Sequence, residues 1–292
     1  MAQPRISASL PPDIDPTKAA VAFGRRALPK LKEQLQSPEL LTQQRALMAL
    51  CDLVHDPEKV YQAIALGFLD SLKTLLVHQD QTVRHKTTEV LSVMALHSIG
   101  REGLIRSGVI SALTGLLDDP VDICRKNTHQ IFAMLARLPE GAGAVLQARL
   151  IPPLVLKLKM ELEEILELIL DTLSSCLRVE ISEALAAGAV AVLKEKLSHP
   201  CTAIRSKAAW VLLEISSHAE GKIALCREEV IPVLVSLLQD PQPEVQVSSA
   251  GALVFAMVTP QGRSSAMDAE AIPPFLRLVA EETSRARVSA LQ

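Results

Sequence analysis

The chain has 292 residues, a formal net charge of −3 and a pI near 6.2, so it has no overall positive charge that would predict nucleic-acid binding. Hydrophobic residues make up 49% of it but aromatic residues only 2%, which favours leucine- and alanine-rich helices over a β-sandwich or barrel. There is no run of 18 apolar residues and no apolar signal-peptide core at the N-terminus, so no membrane segment is predicted. Five widely spaced cysteines without a paired motif predict free thiols in a reducing, intracellular compartment.

The first segment, residues 1–18, is rich in proline and lacks helical periodicity. We interpret it as an extended N-terminal arm that precedes a repeat array over residues 19–292. The sequence leaves two roles open for the arm. It either becomes ordered on a neighbouring protein or caps the first repeat.

From residue 19 onward the sequence repeats itself with a period near 41 residues. One apolar column advances in steps of 41, 41, 41, 39, 41 and 41 residues through Leu31, Leu72, Leu113, Leu154, Leu193, Leu234 and Phe275. A second column keeps the same steps through Leu50, Leu91, Phe132, Leu173, Leu212 and Leu253. Its next position would fall two residues beyond Gln292, so the last repeat is predicted to be incomplete.

Each window predicts a short helix, a polar turn and a longer helix with apolar residues at helical spacing. Glycine precedes the short helix in three windows, where the chain must turn sharply: Gly67, Gly108 and Gly188. Proline stands at the start of the short helix in three others, where it is best tolerated: Pro152, Pro232 and Pro273.

Three segments carry a resemblance to armadillo repeats: AGAVAVLKEKL (187–197), IRSKAAWVLLEIS (204–216) and VIPVLVSLLQD (230–240). HEAT repeats have a similar period, but the glycine-led short helix favours the armadillo type. The predicted fold is all-α, an armadillo-type right-handed superhelical solenoid of about seven repeats. Because one repeat of about 40 residues cannot cover its own apolar face, neighbouring repeats must stack.

No pattern of catalytic residues emerges. The histidines and cysteines lack metal-ligand spacing, and no phosphate-binding or nucleophile motif is present. Glu163, Glu167 and Asp171 are spaced by four residues, which suits a solvated helix face better than an acid/base pair in a cleft. Cys124 and Cys176 fall in apolar columns and are predicted core residues. The sequence therefore predicts no enzyme, no cofactor, no metal and no small-molecule substrate.

One candidate binding residue is Trp210. Armadillo proteins that carry nuclear import signals present a ladder of tryptophan and asparagine from their third helices. Here Trp210 alone occupies the tryptophan column, and the asparagine column contains no asparagine. An import-adaptor role is therefore disfavoured, and Trp210 is either an anchor for a partner or partly buried packing.

A second candidate lies in the fourth repeat. This repeat places Leu166, Glu167 and Leu168 where its neighbours carry mostly basic or polar residues, and Glu163 and Glu164 precede them. An apolar patch rimmed by acid is typical of a protein contact. The alternative is that the two leucines pack against an adjacent helix or loop.

Longer stretches are more specific than the general repeat. They are SLPPDIDPTKAAVAFGRRALPKLKEQLQSPELLTQQRALMALCDLVHDPEKVYQAI (9–64), KTTEVLSVMALHSIGREG (86–103), LILDTLSSCL (168–177), AVLKEKLSHPCTAIRSKAA (191–209) and AGALVFAMVTPQGR (250–263). They include the N-terminal arm and inter-repeat turns as well as the common leucines. Together they resemble the armadillo-repeat radial spoke head homologs, also called rhabdoid tumor deletion region proteins.

That resemblance implies a non-catalytic structural component of ciliary and flagellar axonemes, within the cytoplasm and cytoskeleton. Its partners would be other radial spoke or axonemal proteins, which the helical stack would hold at fixed spacing. Composition and periodicity by themselves do not indicate a cilium. The alternative is a soluble armadillo adaptor that binds peptide segments of partner proteins in transport or signalling.

Overall fold

The computed structural model describes residues 24–280, apart from the side chain of Arg25, and the predicted arm over residues 1–18 lies outside them. Within the described residues the chain forms nineteen α-helices and two short 3-10 turns, Gly24–Arg26 and Thr114–Leu116, and no strand. The all-α prediction is therefore confirmed.

The helices recur along the chain in groups of three. The first helices are α3 (Pro57–Ala65), α6 (Ser98–Arg106), α9 (Pro139–Gln147), α12 (Ser182–Ala186), α15 (Ala219–Arg227) and α18 (Pro260–Asp268). The second helices are α1 (Ala27–Leu35), α4 (Phe68–Leu75), α7 (Val109–Leu113), α10 (Ile151–Lys157), α13 (Ala189–Lys196), α16 (Ile231–Leu237) and α19 (Ile272–Ala280). The third helices are α2 (Leu40–Leu53), α5 (Gln81–Leu96), α8 (Asp122–Ala136), α11 (Glu163–Leu177), α14 (Thr202–Ser217) and α17 (Pro243–Ala256). The predicted short and long helices correspond to the second and third helices.

The two apolar columns form the core of the repeats. Every residue of the second column, from Leu50 to Leu253, is fully buried. The first column is fully buried from Leu31 to Leu234, and Phe275 is half-buried. Because burial of one such side chain contributes about 1.5–3 kcal/mol, these columns account for much of the driving force that stacks the repeats.

The junction between the first and second helices uses a left-handed residue in six repeats. Three of these residues are glycine, with φ of 75° at Gly67, 69° at Gly108 and 74° at Gly188, which confirms the predicted sharp turn. The matched positions in the other three repeats are Arg149, Glu229 and Glu270, with φ of 52°, 52° and 54°. The predicted helix-start prolines follow these three residues. The left-handed conformation costs a residue with a side chain about 1 kcal/mol, so surrounding contacts must impose it there.

The chain divides into two compact units, Met1–Met134 and Leu135–Gln292, with the boundary inside α8. In the described part of the first unit, α5 packs against α2. In the second unit, α14 packs against both α11 and α17. Residues at matched positions of neighbouring third helices therefore lie side by side.

Within the part of the chain that the structure describes, a buried arginine–aspartate pair joins neighbouring repeats in each unit. Nε of Arg84 on α5 lies 2.6 Å from Oδ2 of Asp119, and Nε of Arg205 on α14 lies 2.9 Å from Oδ2 of Asp240. Nη1 of each arginine also donates to two carbonyls in the turn before its own helix. The pair thus fixes two successive turns relative to one another.

Candidate protein-binding surfaces

The fourth repeat has Leu166 at the position that these arginines occupy. Leu166 is only 3% exposed. The matched position is largely buried in the other repeats too, since the side chains of Arg84 and Arg205 are 13% and 14% exposed. The predicted surface patch is therefore wrong at Leu166, which packs in the interior. Leu168 is half-buried on the same helix and remains accessible to a partner.

The predicted acidic residues lie on α11. Glu163 and Glu164 are exposed and Glu167 is half-buried. Nζ of Lys207 on α14 lies 3.4 Å from Oε2 of Glu167 and 2.9 Å from Oδ2 of Asp171. Part of this acidic group is therefore engaged with the next repeat, while a contact between Glu163 or Glu164 and a partner stays a prediction.

Three exposed apolar side chains of the fourth repeat lie at the end of α10 and in the turn that leads to α11. Leu156, Met160 and Leu162 are each more than half exposed, and we call them the turn patch. Five other repeats hold a polar residue at the position of Met160, and its side chain accepts a hydrogen bond from the backbone N–H two residues later: Ser37, His78, Asp119, His199 and Asp240. The sequence did not predict this patch, because the repeat columns that pointed to binding residues lie within the third helices.

A second surface lies on the third helices of the second unit. Trp210 on α14 is 42% exposed and Phe255 on α17 is 38% exposed. Glu214 lies one helical turn after Trp210, and Phe255 occupies on α17 the position that Glu214 occupies on α14. We call Trp210, Glu214 and Phe255 the aromatic face. Trp210 is therefore partly packed but presents enough of its ring to contact a partner.

Glu214 forms an unusual ion pair within the aromatic face. Its side chain is 9% exposed, whereas that of Arg178, at the end of α11, is 65% exposed. Nη2 of Arg178 lies 2.9 Å from Oε1 of Glu214, and Nε lies 3.4 Å from Oε2. A largely buried carboxylate is thus paired with a guanidinium that stands in solvent.

Three cysteines lie in the core. Cys51, Cys124 and Cys176 are buried, which confirms the core roles predicted for Cys124 and Cys176. Burial raises the pKa of the Cys51 and Cys176 thiols to about 12 and that of Cys124 to about 11. Cys201 and Cys226 are half-buried. The three buried thiols are therefore poor nucleophiles at neutral pH.

The remaining described surface carries shallow clefts between first helices. The cleft between α15 and α18 has a volume of about 710 Å³ and is lined by Ile223, Pro232 and Ser265 among others. Among residues 24–280, no three or more His, Cys, Asp or Glu side chains are placed to hold a metal ion. No helix in that range is long and apolar enough to cross a membrane.

Comparison with known proteins identifies the type of repeat. The Armadillo/beta-catenin-like repeat family matches residues 218–254, which contain α15, α16 and most of α17. An engineered protein of known crystal structure has a TM-score of 0.83 and 22% identity, covering 94% of this chain and 71% of that one.

Designed armadillo repeat proteins are also similar. One described as computationally designed for modular peptide recognition has a TM-score of 0.73 and 25% identity, covering 78% of this chain and 99% of that one. Another, in complex with peptide (KR)4, has a TM-score of 0.72 at the same identity and coverage. The fold is therefore an armadillo-type solenoid of about seven repeats, as the sequence predicts. The described residues end within the seventh repeat, at α19.

Proposed function

We propose that this chain is a non-catalytic scaffold that binds other proteins through its third helices. The observation that carries this proposal is the exposure of Trp210 and Phe255 on adjacent third helices, in a chain with only 2% aromatic residues. Exposed aromatic side chains are typical of binding hot spots. A designed armadillo protein of similar fold that is described as made for peptide recognition supports a contact surface of this kind.

The finer proposal is a scaffold in the ciliary or flagellar axoneme that holds other radial spoke proteins. Its support is the resemblance of the five stretches between residues 9 and 263 to radial spoke head homologs. The buried pairs Arg84–Asp119 and Arg205–Asp240 are consistent with this role, because they fix neighbouring repeats and hence the spacing of bound partners. On this proposal the protein resides in the cytoplasm and cytoskeleton, at the axoneme.

A soluble adaptor that binds peptide segments in transport or signalling is the second candidate. It is favoured by the similarity to the designed armadillo repeat protein in complex with peptide (KR)4. The lack of an asparagine ladder argues against an adaptor of the import type.

The two candidates differ in where the protein is found and with what. A tagged chain would be expressed in ciliated cells, and salt-extracted axonemes would be analysed by mass spectrometry. The scaffold proposal expects the chain to remain with radial spoke subunits after extraction. Recovery only in the soluble fraction, with transport or signalling proteins, would reject the axonemal role and support the adaptor.

The role of the aromatic face is tested in the same cells with a double variant, Trp210→Ala and Phe255→Ala. It should lose co-purifying proteins while remaining folded. Tyr61→Ala is the matched control, because Tyr61 is also an exposed aromatic residue but lies on the first helix α3. If the double variant retained every partner of the wild type, the aromatic face would not be the contact surface.

A further inference from the structure

We infer that Glu214 receives an arginine side chain from a partner protein, and that Arg178 occupies this place when no partner is bound. The inference rests on the proposed function, and it names the chemistry of the segment that the aromatic face binds. It concerns the second unit alone, where Glu214, Arg178, Trp210 and Phe255 all lie.

The burial of Glu214 makes its carboxylate a strong receptor for a cation. Removal of a charge from water is costly unless an opposite charge compensates it, and the side chain of Glu214 is only 9% exposed. Among residues 24–280, Arg178 alone donates a hydrogen bond to its carboxylate. We therefore expect a cation to pair with Glu214 in the free protein and in the complex alike.

Arg178 can dissociate from Glu214 at little cost. Its side chain is 65% exposed, so water can solvate the guanidinium as soon as it leaves Glu214. An exposed ion-pair partner gains little from the pair, because solvent screens it and a long side chain must be held still. Exchange of one guanidinium for another keeps the buried carboxylate paired and costs little.

The geometry of the pair favours arginine over lysine as the incoming residue. Nε and Nη2 of Arg178 face different oxygens of Glu214, at 3.4 and 2.9 Å. This is the two-point arrangement that a planar guanidinium makes with a carboxylate, whereas an ammonium group acts as a point charge. Trp210 lies one helical turn before Glu214 on α14, and Phe255 occupies the matched position on α17. A guanidinium also stacks on aromatic rings.

The surrounding charges complement such a segment. Helix α11 contains four acidic residues, Glu163, Glu164, Glu167 and Asp171, and no basic one. The two basic residues of α14, Arg205 and Lys207, already face Asp240 and Asp171. The third helices of this unit therefore carry excess negative charge, which attracts an arginine-containing segment and repels an acidic one.

Peptide binding to the purified full chain tests the exchange. Fluorescence anisotropy would compare fluorescein-labelled peptides of equal length with alternating arginine and serine, lysine and serine, or glutamate and serine. The arginine peptide should bind several-fold more tightly than the lysine peptide, and the glutamate peptide should not bind. Arg178→Ala should tighten arginine-peptide binding roughly fivefold by removing the internal competitor, and Trp210→Ala should weaken it roughly threefold. Glu214→Gln should weaken arginine-peptide binding by more than about tenfold.

The effect of Arg178→Ala decides between exchange and a structural role. Unchanged or weaker binding in this variant would overturn the inference, because a merely structural arginine has no competitor effect. Equal binding of the arginine and lysine peptides by the wild type would overturn the specificity for arginine. Glu214→Gln is uninformative if it loses its helical circular dichroism. Arg178→Ala changes only an exposed side chain, so it still distinguishes exchange from a structural role. Neither failure bears on the proposed function, which the co-purification of the Trp210→Ala and Phe255→Ala double variant tests separately.

Discussion

Arg84 on α5 and Asp119 in the turn before α8 form a buried ion pair, with 2.6 Å between Nε and Oδ2. Oδ1 of Asp119 also accepts a hydrogen bond from the backbone N–H of Val121. Arg205 and Asp240 repeat the arrangement in the second unit, with the same separation of 35 residues along the chain. One carboxylate thus caps the start of its own turn and holds the arginine of the preceding repeat.

Loss of the Asp119 carboxylate should destabilise the protein. Asp119→Ala should lower the free energy of unfolding by roughly 3 kcal/mol, because it leaves the guanidinium of Arg84 buried without its partner. The control is Asp70→Ala, which removes an ion pair with Lys73 in which Asp70 is 84% exposed. That change should cost less than about 1 kcal/mol. Urea unfolding at neutral pH, followed by circular dichroism, measures both, and equal costs would show that the buried pair does not stabilise the fold.

The same carboxylate should make stability depend on acidity. Burial alone would raise the pKa of Asp119, but hydrogen bonds from Arg84 and Val121 and the charge of Arg84 outweigh it and hold the pKa below 3.8. Because the folded pKa lies below the unfolded one, the stabilisation is complete above the unfolded pKa and is lost as pH falls through the folded value.

The urea midpoint of the wild type should therefore fall more steeply below about pH 4 than that of Asp119→Asn. Other carboxylates titrate in both proteins, so the difference between the two curves isolates Asp119. Parallel curves over the acidic range would contradict a lowered pKa at this position.

Most of the fold could be predicted from the sequence, because the buried apolar residues recur with the period of the repeat. The columns from Leu31 and Leu50 predicted the buried face of every second and third helix, and Gly67 predicted the left-handed junction. Arg149 at the same junction could not be predicted, since a residue with a side chain disfavours positive φ; there the backbone N–H of Leu150 donates to the carbonyl oxygen of Val145 across the turn.

The candidate surfaces were harder to predict. A column of arginines suggests an exposed position, yet the stem of Arg84 is buried while its head reaches Asp119, so Leu166 at that position is buried as well. The repeated spacing of 35 residues between arginine and aspartate was a signal that sequence reasoning could have used. Among the described residues the pair of Arg178 and Glu214 is not repeated, so it leaves no such signal.

The junction between α14 and α15 depends on a close approach at Gly221. A Cβ added there would stand 1.8 Å from the backbone carbonyl oxygen of Ile215. Gly221→Ala should therefore lower the free energy of unfolding by roughly 2–3 kcal/mol, because backbone must move to relieve the clash. The matched control is Gly143→Ala on the first helix α9, where a Cβ meets no atom within 4 Å.

Gly143→Ala should be neutral or stabilise the protein by up to about 1 kcal/mol, since alanine favours helix. Thermal unfolding compares the two variants directly. A Gly221→Ala protein as stable as Gly143→Ala would show that the junction is not closely packed.

Thiol reactivity should divide the cysteines into two classes. Cys51, Cys124 and Cys176 are buried, and the pKa of each is raised to about 11 or 12, so they should resist iodoacetamide in the native protein at neutral pH. Cys201 and Cys226 are half-buried and should react first. Mass spectrometry of tryptic peptides after brief labelling, with a urea-unfolded sample as control, measures this order. Early labelling of Cys176 would mean that its repeat opens readily.

Replacement of Leu166 and Leu168 by the basic residues of neighbouring repeats should have different effects on stability. Leu166→Arg should lower the free energy of unfolding by roughly 2–4 kcal/mol, because Leu166 is 3% exposed and the next repeat has His199 where Arg84 and Arg205 find an aspartate. Leu168→Lys should cost less than about 1 kcal/mol, since Leu168 is half-buried and Lys207 fills the matched position on α14. Urea unfolding of both variants measures the contrast, and loss of partner binding is then informative only for Leu168→Lys. A Leu166→Arg protein as stable as the wild type would show that Leu166 lies on the protein surface.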